Sequence, residues 1–172
     1  MKCACMNIDA LNACGVYAAG PLDNGVAVKL VKMVQDGTKT AQGFEFEVKP
    51  ASASDLGVWV VNTPEAGGKN IEVQLFNDPR YFYNEAGAPM SIKKLVAGVD
   101  YLEMDKNCFT DGTIPDGTAS KDFATIGAGG KWTTAAEAPV SGGYLEFVAK
   151  HTVAVGSEIV PTVIMRYAEK QA

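Results

Sequence analysis

Gly142-Gly143-Tyr144-Leu145-Glu146-Phe147-Val148-Ala149-Lys150-His151-Thr152-Val153-Ala154-Val155-Gly156-Ser157-Glu158-Ile159-Val160-Pro161-Thr162-Val163-Ile164-Met165-Arg166-Tyr167 is the stretch that decides the fold. Two runs rich in β-branched and aromatic residues flank Gly156-Ser157, which predicts two antiparallel strands closed by a glycine turn, with 144–152 facing 159–167. Pro161 has no N–H for a ladder, so it is expected at an edge or a bulge. A hairpin cannot bury its own apolar face. The rest of the chain must therefore supply a covering layer of β structure.

The 172 residues suffice for one domain with a real core and are too few for two ordinary domains and a linker. Hydrophobic residues make up 47% and charged residues 20%, enough apolar material to offset chain entropy, so a disordered tail is excluded. The 18 glycines and 8 prolines recur along the chain instead of clustering, which punctuates many short strands. The expected fold class is all-β: a compact antiparallel sandwich or barrel-like domain over residues 23–172, preceded by an irregular N-terminal arm over 1–22. A net charge of −5, with the basic residues dispersed, argues against nucleic acid as a partner. No apolar run reaches the roughly twenty residues that span a bilayer, so no membrane partner is expected. The N-terminus meets Lys2 and Asp9 too early for a signal-peptide apolar region, and synthesis in a cytoplasm is the expectation.

Cys3, Cys5 and Cys14 lie near the start and Cys108 far away, a spacing that suits free thiols better than a secreted disulfide framework. The paired Cys-x-x-Cys knuckles of a zinc site are missing, and neither metal nor cofactor is expected.

Along the chain, Ile8, Leu11, Val16 and Tyr17 are apolar without a sustained period, so the arm either packs on its own domain or reaches a neighbouring subunit. Val26 to Val34 is a strand candidate, and Phe44, Phe46 and Val48 alternate with Glu45, Glu47 and Lys49 as one buried and one wet face. Leu56 to Asn62 is nearly all apolar, which predicts a strand buried on both sides or covered at an interface. Ile71 to Phe76 alternates again, and Tyr81, Phe82 and Tyr83 form an aromatic cluster beside a turn. Ser91 to Met104 reads as strand, with Val99, Tyr101 and Glu103 on one face. A long polar segment, 105–125, reads as a functional or mobile loop. No helix is expected.

Catalytic signatures fail on spacing. Gly127-Ala128-Gly129-Gly130-Lys131-Trp132 lacks the first P-loop glycine, where Thr125 stands, and the Ser or Thr after the lysine, where Trp132 stands. Trp132 also replaces the third glycine of a dinucleotide fingerprint, leaving a tight glycine turn. Ser91-Ile92-Lys93-Lys94 matches a Ser-x-x-Lys nucleophile without its companion motifs. His151 is the single histidine and falls in a strand, where a paired or exposed structural role is expected. Asp105, Asn107 and Asp111 start at calcium-loop spacing, but Thr110 occupies the obligatory glycine position; an irregular calcium site from Asp105, Asp111 and Asp116 and simple Asx turns are both open. The chain is expected not to be an enzyme.

The order of features, Gly57-Val58-Trp59-Val60-Val61-Asn62-Thr63-Pro64, Val99-Asp100-Tyr101-Leu102-Glu103-Met104, Ala128-Gly129-Gly130-Lys131-Trp132 and the closing pair to Tyr167, resembles the capsid decoration (auxiliary, or cement) proteins of tailed bacteriophages. The resemblance implies a structural virion protein on the capsid exterior, partnered by the major capsid protein and by copies of itself, as in a trimer. The residues expected at such interfaces are Ile8, Leu11, Val16, Tyr17, Trp59, Tyr81, Tyr83 and Trp132. A carbohydrate- or host-surface-binding β module, like a head-fibre base, is the alternative, with Trp59, Trp132 and the Tyr81 to Tyr83 cluster as a stacking platform. An exposed Trp132 favours sugar binding, and a buried one favours a scaffold.

Overall fold

The computed structural model describes residues 3–5, 11–34, 45–64 and 82–172. Eleven strands run in chain order: β1 (Cys3–Cys5), β2 (Asn12–Val16), β3 (Ala27–Met33), β4 (Glu45–Pro50), β5 (Trp59–Val61), β6 (Pro89–Lys94), β7 (Tyr101–Asp105), β8 (Phe123–Ile126), β9 (Trp132–Ala135), β10 (Gly142–Val155) and β11 (Glu158–Lys170). They form a six-stranded sheet, ordered β1-β7-β11-β10-β8-β9, and a closed barrel, β2-β4-β3-β5-β6. The β-dominated class expected from the sequence is what the chain adopts. Helical turns among the described residues are two three-residue 3-10 segments, Lys106–Cys108 and Ala128–Gly130.

The decisive hairpin forms as the residue pattern dictates. β10 and β11 pair antiparallel from Gly142↔Lys170 to Val155↔Glu158. Gly156 takes φ +60°, a left-handed conformation that costs a residue with a Cβ, and so closes a two-residue turn with Ser157. Pairing of β11 with β7 begins at Thr162↔Asp105, so Pro161 lies in the length of β11 where β10 is its only strand partner among the described residues. This is the edge position its missing donor requires.

The apolar run at 58–61 is covered on both sides because it lies between two cores. Val58 and Val60, with Ala27 and Leu95, pack on the inner face of the six-stranded sheet, against Leu102, Met104, Leu145, Val163, Met165 and Tyr167. Val61, with Val28, Val48, Met90 and Ile92, fills the barrel. Alternate residues of β3 and β5 thus face opposite hydrophobic clusters, and a strand with no wet side reads as continuous hydrophobic sequence.

Three expectations are corrected. Residues 1–22 were expected as an irregular arm, yet Asn12–Val16 closes the barrel, antiparallel to β6 from Asn12↔Lys93 to Val16↔Pro89 and parallel to β4 from Cys14↔Glu45 to Val16↔Glu47. Its run Asn-Ala-Cys-Gly-Val is short and small, so no hydrophobic period announces it; Gly15 is small because a Cβ there would stand 3.1–3.2 Å from Ile92 and Val48. β1 pairs with β7 as an edge of the six-stranded sheet. The β2–β4 pairing also departs from a wholly antiparallel architecture. Finally, Val99 does not share a strand face with Tyr101 and Glu103: it is exposed in the turn between β6 and β7, whose amides bond Val96 and Tyr167. The predicted strand at 71–76 lies outside the described residues.

The glycine turn at 127–131 is confirmed with a steric reason. Gly130 has φ +76°, and a Cβ there would sit 2.2 Å from the Ala27 carbonyl oxygen, whereas Gly129, at φ +65°, has nothing within 4 Å of that position. Gly130→Ala is expected to cost about 3 kcal/mol or more, combining left-handed strain with overpacking. Gly129→Ala carries the backbone term alone, about 1–2 kcal/mol. Chemical denaturation of the two variants checks the difference; equal losses would show that the close approach of β3 contributes nothing.

Candidate interaction surface

Alternation along the six-stranded sheet sorts its side chains. Leu102, Met104, Val163, Met165 and Leu145 point into the core, and the intervening residues form the opposite, outer face. That face carries Tyr101 and Glu103 on β7, Thr162, Ile164 and Arg166 on β11, Tyr144, Glu146, Ala149 and His151 on β10, and Phe123 on β8, aligned by Arg166↔Tyr101, Ile164↔Glu103, Glu146↔Arg166, His151↔Thr162 and Glu146↔Phe123.

Its polar groups are committed to one another. Arg166 donates from Nε to Glu146 Oε2 at 2.9 Å and pairs with the same oxygen through its second nitrogen. Tyr144 Oη donates to Glu146 Oε1 at 3.3 Å, and the Tyr144 and Phe123 rings lie 6.1 Å apart, tilted. Partial burial, with Glu146 alongside, raises the Tyr144 pKa and keeps its hydroxyl a donor. Two strands away, Glu103 Oε1 accepts from Thr162 Oγ1 at 2.7 Å and meets His151 Nδ1 at 2.6 Å. Thr162 and His151 therefore converge on one carboxylate oxygen, and Thr162 is only 3% exposed. A nucleophile, base and orienting acid need the histidine between the hydroxyl and the carboxylate. Here the carboxylate is in the middle, so the trio locks three strands together and has no relay order. His151 is both paired and exposed, as a strand histidine was expected to be.

Among the described residues, those expected at interfaces differ in exposure. Trp132 is fully buried, its Nε1 donating to the Gly25 carbonyl at 2.9 Å, and it presents nothing to a partner: a correction, since Trp132 is a core residue tying β9 to the chain just before β3. Leu11 is 45% exposed at the entry to β2, where its carbonyl accepts from Lys94 N. Trp59 pairs with Lys94 across β5 and β6 and packs on the barrel core, so Leu11 and Trp59 flank the same β6 residue. Val16 and Tyr17 line a groove of about 770 Å³ with Met33 and Val48. Tyr83 is exposed, next to the Leu22↔Asn84 bridge. Ile8 and Tyr81 lie outside the described residues.

The polar loop is tied down by local bonds. Asp105 accepts from the Asn107 amide at 2.8 Å, Asp111 from Thr113 N at 3.0 Å and Asp116 from Thr118 N at 3.1 Å, which makes each an Asx turn. Bonds from Thr113 hold Asp111, and bonds from Thr118 hold Asp116, below the usual carboxylate range. Among the described residues no three acidic, His or Cys side chains group so as to hold a metal ion, so Asp105, Asp111 and Asp116 do not form the irregular calcium site. Cys108 is buried, its Sγ donating to the Asn24 carbonyl at 3.8 Å, and burial together with Glu45 raises the Cys14 pKa, which makes its thiol less nucleophilic at neutral pH.

Sequence reasoning singled out Trp132 and missed the outer-face group of Tyr144, Glu146 and Arg166. The signal was present in the period-two alternation of 144–147 and 162–167, where Tyr144, Glu146, Thr162 and Arg166 fall on one side. No protein-family model, curated protein or solved structure matches this chain.

Proposed function

We propose that the protein is a non-catalytic capsid decoration protein, which binds the outer surface of an assembled phage head and braces contacts between major capsid subunits. The observation that carries this reading over the sugar-binding one is the burial of Trp132, which removes the central aromatic from the stacking platform that a carbohydrate module would need. Support also comes from the outer face, where Glu103, Glu146, Arg166, Thr162 and His151 bond one another and brace the strands β7, β11 and β10. Many copies of such a rigid body hold a shell through modest individual contacts added by multivalency. The virion assignment itself rests on the sequence resemblance.

The half-buried Phe123–Tyr144 ring pair favours the glycan-binding alternative. Co-sedimentation separates the two. Purified protein mixed with assembled heads is expected to pellet with them at a saturable, symmetry-fixed stoichiometry, and to stay in solution with unassembled capsid subunits. Absence of pelleting, with retention on immobilised glycans that is lost in Tyr144→Ala, would replace the capsid reading by the carbohydrate one.

A further inference from the structure

We propose that the outward edge of β10 between Lys150 and Val155 is a homotypic docking edge, onto which a second copy of this chain adds its own β10 antiparallel, with Thr152 facing Thr152 across a two-fold axis. β8 pairs with β10 only over Tyr144, Leu145 and Glu146, so beyond the bulge at Val148 the strand has β11 on one side and no strand on the other among the described residues. The same stretch is exposed or half-buried at every position from Val148 to Val155.

Backbone direction follows from the turn. In a two-residue hairpin the closing pair, Val155↔Glu158, exchanges both hydrogen bonds, and alternate pairs repeat that pattern. Thr152, opposite Pro161, then falls at a position whose N–H and C=O point away from β11, in agreement with a proline opposite that has no donor to give. Lys150 and Ala154 point the same way. None of the three has a backbone hydrogen bond to any other segment among the described residues. A strand edge of this kind is a template for pairing with another chain, and natural edges are blunted by charge or proline. Here Lys150 is the single charge over six residues.

Charge and register select the occupant. Antiparallel pairing of two identical strands requires outward residues to face outward residues. Centred on Thr152 it places Thr152 opposite Thr152, Lys150 opposite Ala154, and His151 opposite Val153. Shifting the centre to Lys150 would set two lysines face to face, a destabilising cross-strand pair. Centred on Thr152, the edge pairs with a copy of itself with outward residues matched and no like charges opposed, the condition for an isologous contact between copies. Exchange of backbone bonds over so few residues buries far less than a standard interface, so the dimer is weak.

Sedimentation velocity and equilibrium of the full chain test this. The mass is expected to double over a range on the order of 10 μM to 1 mM, as suits a small strand-pairing contact. Thr152→Pro removes an outward N–H and leaves the β11 ladder intact; it is expected to raise the dimer dissociation constant about 10-fold or more with an unchanged thermal transition. Thr152→Lys sets like charges across the axis and is expected to abolish the dimer at low salt and regain part of it at high salt, which keeps the test decisive if the proline variant fails to fold. A wild-type chain that is monomeric throughout, or a dimer indifferent to both substitutions, overturns the proposal. Strand pairing at this edge is independent of head binding: a monomer that pellets with heads refutes the dimer and spares the capsid reading, and a dimer that ignores heads does the reverse.

Discussion

Deletion of residues 2–20 is expected to abolish the cooperative unfolding of the barrel, whereas deletion of 2–5, which takes the edge strand β1 of the six-stranded sheet, leaves every barrel strand in place. The longer deletion removes β2, and with it five residue pairs to β6 and three to β4. It also removes the Leu11 and Tyr17 carbonyls that accept from Lys94 N at 3.0 Å and Gly87 N at 2.8 Å. Opening the barrel puts Val48 and Ile92, now 2% and 0% exposed, in reach of water. At about 1 kcal/mol for each net backbone hydrogen bond, and about 2 kcal/mol for each large aliphatic side chain uncovered, the loss is comparable to the whole stability of a domain. The two tryptophans report separately: Trp59 packs on the barrel cluster and Trp132 lies in the cluster under the six-stranded sheet. In the 2–20 deletion, Trp59 fluorescence is expected to shift to that of a solvated indole at temperatures where the intact chain is folded. A deletion variant whose melt matches the intact protein would restore the view of residues 1–22 as an arm that does not contribute to the fold.

The difference between that arm and the observed strand shows what was legible. β10 and β11 could be read because each has a long period-two run of β-branched residues ending in a glycine that must take positive φ, a local signal for a local pairing. β5 could be read as doubly covered because alternate side chains enter two cores and none needs to be polar. β2 could not, because what fixes Asn12–Val16 is non-local: partners some 30 and 80 residues on in sequence, a parallel neighbour, and a barrel interior that leaves Gly15 room for a hydrogen and little else. Trp132 misled for a related reason. An indole beside three glycines reads equally as a displayed platform or as a plug, and only the position of the Gly25 carbonyl, 107 residues away, decides for the plug. The outer-face group was visible as alternation, yet the convergence of Thr162 and His151 on Glu103 joins β10, β11 and β7, and needs the strand order before it can be seen.

Asp100→Ala is expected to destabilise the protein by about 3–5 kcal/mol, the range for removing one partner of a buried ion pair. Asp100 Oδ1 lies 2.9 Å from Lys93 Nζ, and the two side chains are 1% and 3% exposed. The other carboxylate oxygen accepts from Val96 N at 2.7 Å, and the Asp100 carbonyl accepts from Tyr167 N at 2.9 Å. Lys93 belongs to a barrel strand and Tyr167 to the six-stranded sheet, so Asp100 clasps the two layers where the chain passes from one to the other. Alanine leaves the ammonium in the interior without its carboxylate and the Val96 amide without its acceptor, and both costs fall on the folded state. The pair need not be net stabilising for its halves to be indispensable, because desolvation of two charges offsets most of their attraction. The double variant Lys93→Met with Asp100→Ala is therefore expected to recover 1 kcal/mol or more, on the order of a typical coupling between contacting residues, relative to Asp100→Ala alone. Urea unfolding of the wild type, both single variants and the double variant closes the cycle. Additive losses, with no recovery in the double variant, would show that Asp100 acts through its backbone-facing bonds and that the charge pair contributes nothing to holding barrel and sheet together.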